Sequence, residues 1–303
     1  MMERKQFQRK VSEMLPNCTL LFDEPMAKHT SFRIGGPVSV MAFPKSVEQL
    51  QALLKVSALL DAKPVILGAG TNVLAPDAGM EQLVICLKDA LEGMEKLDET
   101  RIRVSAGVTM TRAAVFAANH GLSGLEFAHG IPGTVGGGVY MNAGAYGGEV
   151  CQVCESVDVL WPDGTVQTLS NAEMGFGYRH SILEENQGIV LSAVFALNPG
   201  TTEEIRGKMK DLMGRRSASQ PLDLPSAGSA FKRPVGGYAA ALIDQAGLKG
   251  YRVGDAAISE KHAGFAVNLG NATASDVRAL LEQVSDIVFD KSGIRLEPEV
   301  RIW

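Results

Sequence analysis

The stretch from Gly121 to Glu149, GLSGLEFAHGIPGTVGGGVYMNAGAYGGE, constrains the fold more than any other part of the chain. Ten of the 33 glycines fall in these 29 residues, interleaved with Asn142, Ala143 and Ala145 and almost without charge. Gly136-Gly137-Gly138 suits neither a helix interior nor a packed strand, so the segment reads as a loop. Its bare N–H groups, some expected at positive φ, can line a concavity suited to a pyrophosphate. Leu125, Phe127, Ile131, Val135, Val139 and Met141 mark the loop as packed. A long surface loop of several turns is the plainer alternative, but a buried, uncharged, glycine-rich one implies a large ligand.

At 303 residues the chain exceeds the usual size of one compact domain, and two or three domains are expected. The formal charge of −5 argues against a nucleic-acid partner. MMERKQFQRKVSEML has no apolar signal core. Phe7, Val11, Met14 and Leu15 give it a helical stripe instead. Neither an export signal nor a membrane anchor is expected, and the cytoplasm is the default compartment. Cys151 and Cys154 form a lone CxxC, with Cys18 and Cys86 far away in sequence. The pair reads as two small, partly buried residues at a strand start in preference to a zinc or redox site, and no metal is expected.

Thr19 to Phe43 reads as short strands broken at Gly35-Gly36-Pro37. Ser46 with Gln49 forms a capping box for a helix to about Leu60. Val65–Leu67, Leu83–Leu87, Arg101–Ser105 and Ile189–Leu197 read as strands, and Ser156–Leu169 as a hairpin turning at Asp163-Gly164. Thr109 caps a helix through Asn119 that ends at Gly121, and Thr201 with Glu204 caps one ending near Arg215-Arg216. Gln220 to Ser229, with Pro221 and Pro225, is the strongest linker signal. Beyond it come a helix at Tyr238–Ala246, a strand at Phe265–Leu269, a helix at Asp276–Asp290 and a closing strand at Arg295–Ile302. Strands with interspersed helices, lacking a regular βαβ series, indicate an α+β protein.

Leu67-Gly68-Ala69-Gly70-Thr71-Asn72 follows a strand as a phosphate loop does. Neither GxGxxG nor GxxxxGK[ST] occurs anywhere in the chain. The sequence offers no separate dinucleotide fold for a pyridine nucleotide. Such a reductant would have to use the same cleft as the substrate at another time.

GLEFAHGIPGTVGGGVYMNAGAYGGE closely resembles the flavin-binding core of the UDP-N-acetylenolpyruvoylglucosamine reductase family. HTSFRIGG at His29–Gly36, LGAGTNVL at Leu67–Leu74, YRHS at Tyr178–Ser181, AGSAFKRP at Ala227–Pro234, SEKHAGFAVN at Ser259–Asn268 and LEPEVRI at Leu296–Ile302 agree in order. The resemblance implies a two-part FAD-binding domain of the vanillyl-alcohol-oxidase type over residues 1–62 and 63–215. A C-terminal α/β substrate-binding domain follows over 216–303, whose final strand either closes that domain or returns to the first part. Only HSILEENQG separates Arg179 from the strand at Ile189, so the chain resembles the family's short form, without an inserted substrate-closing segment.

The resemblance also implies the site. Gly68, Ala69, Gly70, Thr71, Asn72, Gly130, Ile131, Pro132, Gly133, Gly136, Gly137, Asn142, Ala145 and Val190 would hold non-covalent FAD. Tyr178, Arg216, Gln220, Lys232, Arg233 and Glu260 would bind the substrate, UDP-N-acetylglucosamine enolpyruvate. NADPH would be the reductant in a ping-pong scheme, and the enzyme would be monomeric. Arg179 would stabilise an enolate, a role its glycine and aromatic neighbours make reasonable for a bidentate cation. Ser229 would give a proton to C2 of the enolpyruvyl group, a role local sequence physics would not assign to a serine in a turn. There is no GxSxG elbow. Glu299, and not Glu297, matches the family's catalytic glutamate. It would polarise the enolpyruvyl carboxylate region or relay the proton. Arg233 stands where the motif commonly has Asn and is expected to strengthen a diphosphate contact. His262 is given a structural role. A flavin oxidase of the same fold would not need Arg179, Ser229 and Glu299 together, and a silent paralogue would have lost one of them.

Overall fold

The computed structural model describes residues 3–303, which divide into two compact units. The first comprises residues up to 22, 40–69 and 82–215; the second comprises 23–39, 70–81 and 216–303. A change of unit thus falls at 215/216. Position 62/63 lies inside the first unit, and two short early segments belong with the C-terminal residues.

In the first unit, Arg4–Met14 is a helix that buries Phe7 and Val11, while Met14 points to solvent. Val47–Leu59 starts where the Ser46 hydroxyl accepts the Gln49 N–H at 3.3 Å. The Gln49 side chain accepts from the Lys45 N–H, not from Ser46, so the expected box closes one residue early. This helix buries Leu50, Leu53, Leu54 and Val56 against Val40, Leu83 and Ile85. Each such side chain contributes about 1.5–3 kcal/mol. A four-stranded sheet, most of whose residues belong to this unit, runs in the order Thr19–Pro25, Pro37–Phe43, Met80–Cys86, Val65–Leu67, with its last pair parallel. A five-stranded antiparallel sheet runs Val166–Ser170, Cys154–Leu160, Ile189–Ala196, Arg101–Ser105, Met94–Lys96. Its hairpin turns as expected, with the Asp163 carboxylate accepting the Thr165 N–H at 2.8 Å and Gly164 at φ 87°. The Thr109-capped helix, Met110–Asn119, packs into the same core.

Gly136, Gly137 and Gly138 do not form a loop. They lie in a short helix, Val135–Tyr140, capped by the Thr134 hydroxyl. None of the three has positive φ; in this stretch that conformation falls instead at Gly121, Gly124, Gly133, Asn142, Tyr146 and Gly147. Packing overrides propensity here. A Cβ on Gly136 would sit 2.9 Å from the Ala106 Cβ, and one on Gly138 2.7 Å from the Met110 sulfur. At Gly136 and Gly138 the helix lies too close to its neighbours for a side chain, which outweighs the roughly 1 kcal/mol that each glycine costs.

In the second unit, an antiparallel sheet runs Ser226–Ser229, Phe265–Asn268, Ala256–Ile258, Arg252–Val253. The end of the expected linker is therefore a strand, held by pairing that its local composition does not reveal. Ala239–Gln245 and Ala274–Ser292 pack their apolar faces into one core with Phe32, Ile34 and Leu74. The closing strand is shorter than expected: only Arg301–Ile302 pairs, in parallel, with Val73–Leu74, while Pro298 makes a single bridge to Phe231. Among the described residues, no helix is long and apolar enough to cross a membrane.

Thr273 and Asp276 form a reciprocal capping box at the start of the Ala274–Ser292 helix, and Gly293 ends it at φ 73°. Asp77, far away in sequence, caps the same end: its carboxylate accepts the Ala274 N–H at 2.7 Å and the Ser275 N–H at 3.0 Å. Partial burial pushes the Asp77 pKa up, but these bonds and the Ser275 hydroxyl together carry it below 3.8. A depressed carboxylate stabilises the fold fully above its unfolded value and loses that contribution as pH falls through the folded one. Asp77→Ala should cost about 1 kcal/mol in urea unfolding at neutral pH. The difference from the parent should shrink in acid below 3.8; equal stability at neutral pH would contradict the cap.

Candidate active site

Two glycine loops meet inside the first unit. A Cβ on Gly68 would lie 2.7 Å from the Thr134 hydroxyl oxygen, so the loop after Val65–Leu67 reaches the cap of the glycine helix only because Gly68 is bare. Thr134 is buried, and it was not singled out in the sequence; a Thr placed before an apolar-glycine run is the signal that would have found it.

The expected cradle residues differ in whether their amides are already spent. The Gly136 N–H is bonded to Ala106 O at 2.9 Å, that of Gly137 to the Thr134 hydroxyl at 3.3 Å, and that of Gly138 to Thr134 O at 2.8 Å. The amides of Gly68, Ala69 and Gly133 make no hydrogen bond among the described residues and adjoin the Gly68–Thr134 approach. A narrow, side-chain-free cradle with unspent N–H groups fits the diphosphate of FAD. Gly130 ends the short Glu126–Gly130 turn of helix, while Ile131 and Pro132 lead from it to Gly133. Val190 is buried in the core, so its side chain is committed there. Ala145 belongs to a small hairpin with Gly148.

Asn142 is also committed. Its amide nitrogen donates to Glu149 at 3.2 Å and to Gly177 O at 2.9 Å, and its oxygen accepts the Cys151 N–H at 2.9 Å. The side chain expected to touch the cofactor is thus spent on protein groups. Arg179 sits third in a tight turn closed by Gly177 N–H to His180 O at 3.0 Å and the reverse bond at 3.3 Å. Its φ is 54°, the left-handed region that a non-glycine residue enters at a cost of about 1–3 kcal/mol. Its guanidinium donates to Gly144 O at 3.2 Å and lies 5.4 Å from the Tyr178 ring centre, that ring being half exposed.

The second unit brings Gly70, Thr71 and Asn72 to the other expected residues. Gly70 is at φ 63°, and a Cβ there would overlap His29 O. The Asn72 side chain donates to Glu299 O at 3.3 Å, and its carbonyl accepts the Arg301 N–H. Glu299 N–H in turn donates to Ala230 O at 2.9 Å, which sets Glu299 beside the strand ending at Ser229. Ser229 is exposed; Glu299 is half-buried; Glu297 is at the surface, 3.5 Å from Lys232. The Arg233 guanidinium stacks 4.5 Å from the exposed Tyr238 ring. Glu260 folds its carboxylate over Gly250, where a Cβ would collide with it. Arg216 is buried, and its carbonyl accepts the Gln220 N–H at 2.8 Å. His262 accepts the Gly264 N–H on Nδ1 at 3.1 Å and meets Phe265 edge-on, and burial pushes its pKa down.

Burial raises the Cys151 thiol and pushes Cys154 up to about 12, which disfavours the thiolate form of both.

Residues 38–170 match the FAD binding domain family, and residues 220–303 match the UDP-N-acetylenolpyruvoylglucosamine reductase, C-terminal domain family. With the cradle, these define a flavin-dependent oxidoreductase of the vanillyl-alcohol-oxidase fold. A UDP-N-acetylenolpyruvoylglucosamine reductase of Caldanaerobacter subterraneus is 47% identical over 97% of this chain and 96% of its own. One from Agathobacter rectalis is 45% identical over 98% of each. The crystal structure of the Thermus caldophilus enzyme of that name superposes with a TM-score of 0.79 at 36% identity, covering 95% of this chain and 99% of that one. An alkyldihydroxyacetonephosphate synthase shares the fold alone, with a TM-score of 0.50 at 18% identity over 65% of this chain and 41% of its own. The chain belongs to the UDP-N-acetylenolpyruvoylglucosamine reductase family.

The cradle makes a discriminating expectation. Gly136→Val should lower both stability, by about 1–3 kcal/mol, and flavin content, because the added carbons press on Ala106. Gly137→Ala meets nothing nearer than 3.6 Å and should stay as stable as the parent. It should nevertheless carry less flavin if the cofactor lies over Gly137. Thermal melting and the ratio of flavin to protein absorbance read the two effects. Full flavin content in Gly137→Ala would remove Gly137 from the contact set.

Proposed function

We propose that the chain reduces UDP-N-acetylglucosamine enolpyruvate to UDP-N-acetylmuramate with NADPH, in the cytoplasm, as a step of peptidoglycan precursor synthesis. The observation that carries this reading is near-complete coverage by reductases of that name, joined to the placement of Glu299 beside the Ser229 strand. When bound, FAD would supply the hydride chemistry that couples oxidation of NADPH to reduction at C3 of the enolpyruvyl group.

The chain's residues supply charge, position and a proton. Gly68, Ala69 and Gly133 hold the cofactor's diphosphate through backbone N–H groups, with Gly70, Thr71, Asn72, Gly130, Ile131, Pro132, Gly136, Gly137, Ala145 and the Val190 backbone completing the contact. Arg179 faces the charge that develops on the substrate carboxylate as C3 gains its hydride, and fixed cations there stabilise an enolate without reorganisation. Glu299 polarises the same carboxylate region or relays the proton. The Ser229 hydroxyl gives its proton to C2; an ordinary hydroxyl suffices because an enolate carbon is a far stronger base than water. Lys232 and Arg233 supply positive charge for the UDP diphosphate, with Tyr178, Arg216, Gln220 and Glu260 as further substrate contacts. NADPH and the enolpyruvyl substrate use one place in turn, and the enzyme acts as a monomer.

Ser229→Ala separates the two half-reactions. It should bind FAD and bleach with NADPH at a near-normal rate, while recolouring by the enolpyruvyl substrate slows by about 100- to 10,000-fold. That corresponds to about 3–5 kcal/mol of transition-state stabilisation. Ser229→Cys, which keeps a transferable proton, should recover part of the loss. Slow bleaching with normal recolouring would overturn the assignment of Ser229.

A further inference from the structure

We infer that Asn142 and Ser181 are positioning residues that clamp the Arg179 turn onto the glycine-rich segment and hold its guanidinium at the reacting end of the substrate. The inference rests on the reading of Arg179 as the group facing the enolate. Three hydrogen bonds tie the turn down, and all lie in the first unit. Asn142 Nδ2 donates to Gly177 O, the first residue of the turn, at 2.9 Å. Arg179 itself donates to Gly144 O at 3.2 Å. Ser181, just past the turn, donates from its hydroxyl to Tyr140 O at 2.6 Å.

Both positioning side chains are in places where a polar group needs a reason. Asn142 is 1% exposed and Ser181 is fully buried. Asn142 also has φ 46°, so two left-handed non-glycine residues, Asn142 and Arg179, belong to the segments that these bonds join. Backbone strain of this kind persists only where the surroundings over-determine it. Asn142 supplies that over-determination: with Glu149, Gly177 and Cys151 as partners, its amide fixes the far side of the segment as well as the turn. Loosening the clamp lets the turn relax toward an ordinary φ and swings the guanidinium off its line. A shift of about 1 Å in a catalytic contact costs up to about 100-fold.

Two variants cut the clamp independently. Asn142→Asp keeps the shape, the left-handed preference and the acceptor for Cys151, but it removes the donor to Gly177 and to Glu149 and sets a buried carboxylate against Glu149. Ser181→Ala removes the hydroxyl with little change in packing. In both, flavin content and NADPH bleaching of the folded protein should stay within about twofold of the parent. Ser181→Ala should also melt close to the parent, whereas Asn142→Asp should melt lower because its carboxylate is buried against Glu149. Recolouring by the enolpyruvyl substrate should slow by about 10- to 100-fold. Equal slowing of both half-reactions in Ser181→Ala would mark a general loss of structure and would overturn the inference. Should Asn142→Asp fail to fold, Ser181→Ala decides alone. Arg179→Ala is measured beside them. Slow recolouring in Arg179→Ala with normal recolouring in the clamp variants would overturn the clamp while leaving the role of Arg179 intact. Normal recolouring in Arg179→Ala would overturn that role, and the clamp with it.

Discussion

Between the Val135–Tyr140 helix and Ala106 there is room for a hydrogen atom and nothing larger. That close approach fixes much of the first unit's site. The Gly136 N–H bonds the Ala106 carbonyl, the Val135 N–H bonds Val108 O, and Thr134 is thereby set where it caps the helix and touches Gly68. A segment that looks too rich in glycine to hold a shape is held by backbone hydrogen bonds and van der Waals contact with a strand end. Its glycines serve close packing first, and the amides of Gly68, Ala69 and Gly133 remain open beside it.

The same segment also sets the Arg179 turn, through hydrogen bonds from Asn142, Arg179 and Ser181 to carbonyls on either side. Putting a cation on a left-handed residue is costly, and here the cost is met by a buried amide with every partner filled. In the second unit the logic is similar. The chain from Gly70 to Asn72, the Glu299 segment and the Ser229 strand are joined by backbone bonds, so the two candidate side chains are carried on one hydrogen-bonded scaffold. Asp77 and the capping box anchor the long helix that backs that scaffold's core.

Features set by neighbours in sequence were legible. The Ser46 and Thr109 caps, the Asp163-Gly164 hairpin and the helix after Thr201 follow from side chains reaching residues two to four positions away. Features set by distant partners were not. The glycine helix depends on Ala106, the Ser226–Ser229 strand on Phe265–Asn268, and the Val73–Leu74 strand on Arg301–Ile302. Local propensity opposes the first and is silent on the others. The candidate site divides in the same way. Composition marked a packed glycine-rich segment suited to a pyrophosphate, the flavin came from the family resemblance, and neither told which amides stay open. Ser229 and Glu299 entered through family likeness, because a serine after glycine and a glutamate near a chain end have no local mark of chemistry. The committed amide of Asn142 was visible only once its three partners were in place.

The central claim is that one flavin passes a hydride from a pyridine nucleotide to an enolpyruvyl sugar nucleotide. Anaerobic absorbance of the purified protein tests it most directly. The account requires a yellow protein that bleaches with NADPH and regains its colour on adding UDP-N-acetylglucosamine enolpyruvate, one equivalent per flavin, with oxygen excluded. A protein that bleaches but recolours only when oxygen is admitted would be an oxidase of the same fold, and the account would be wrong.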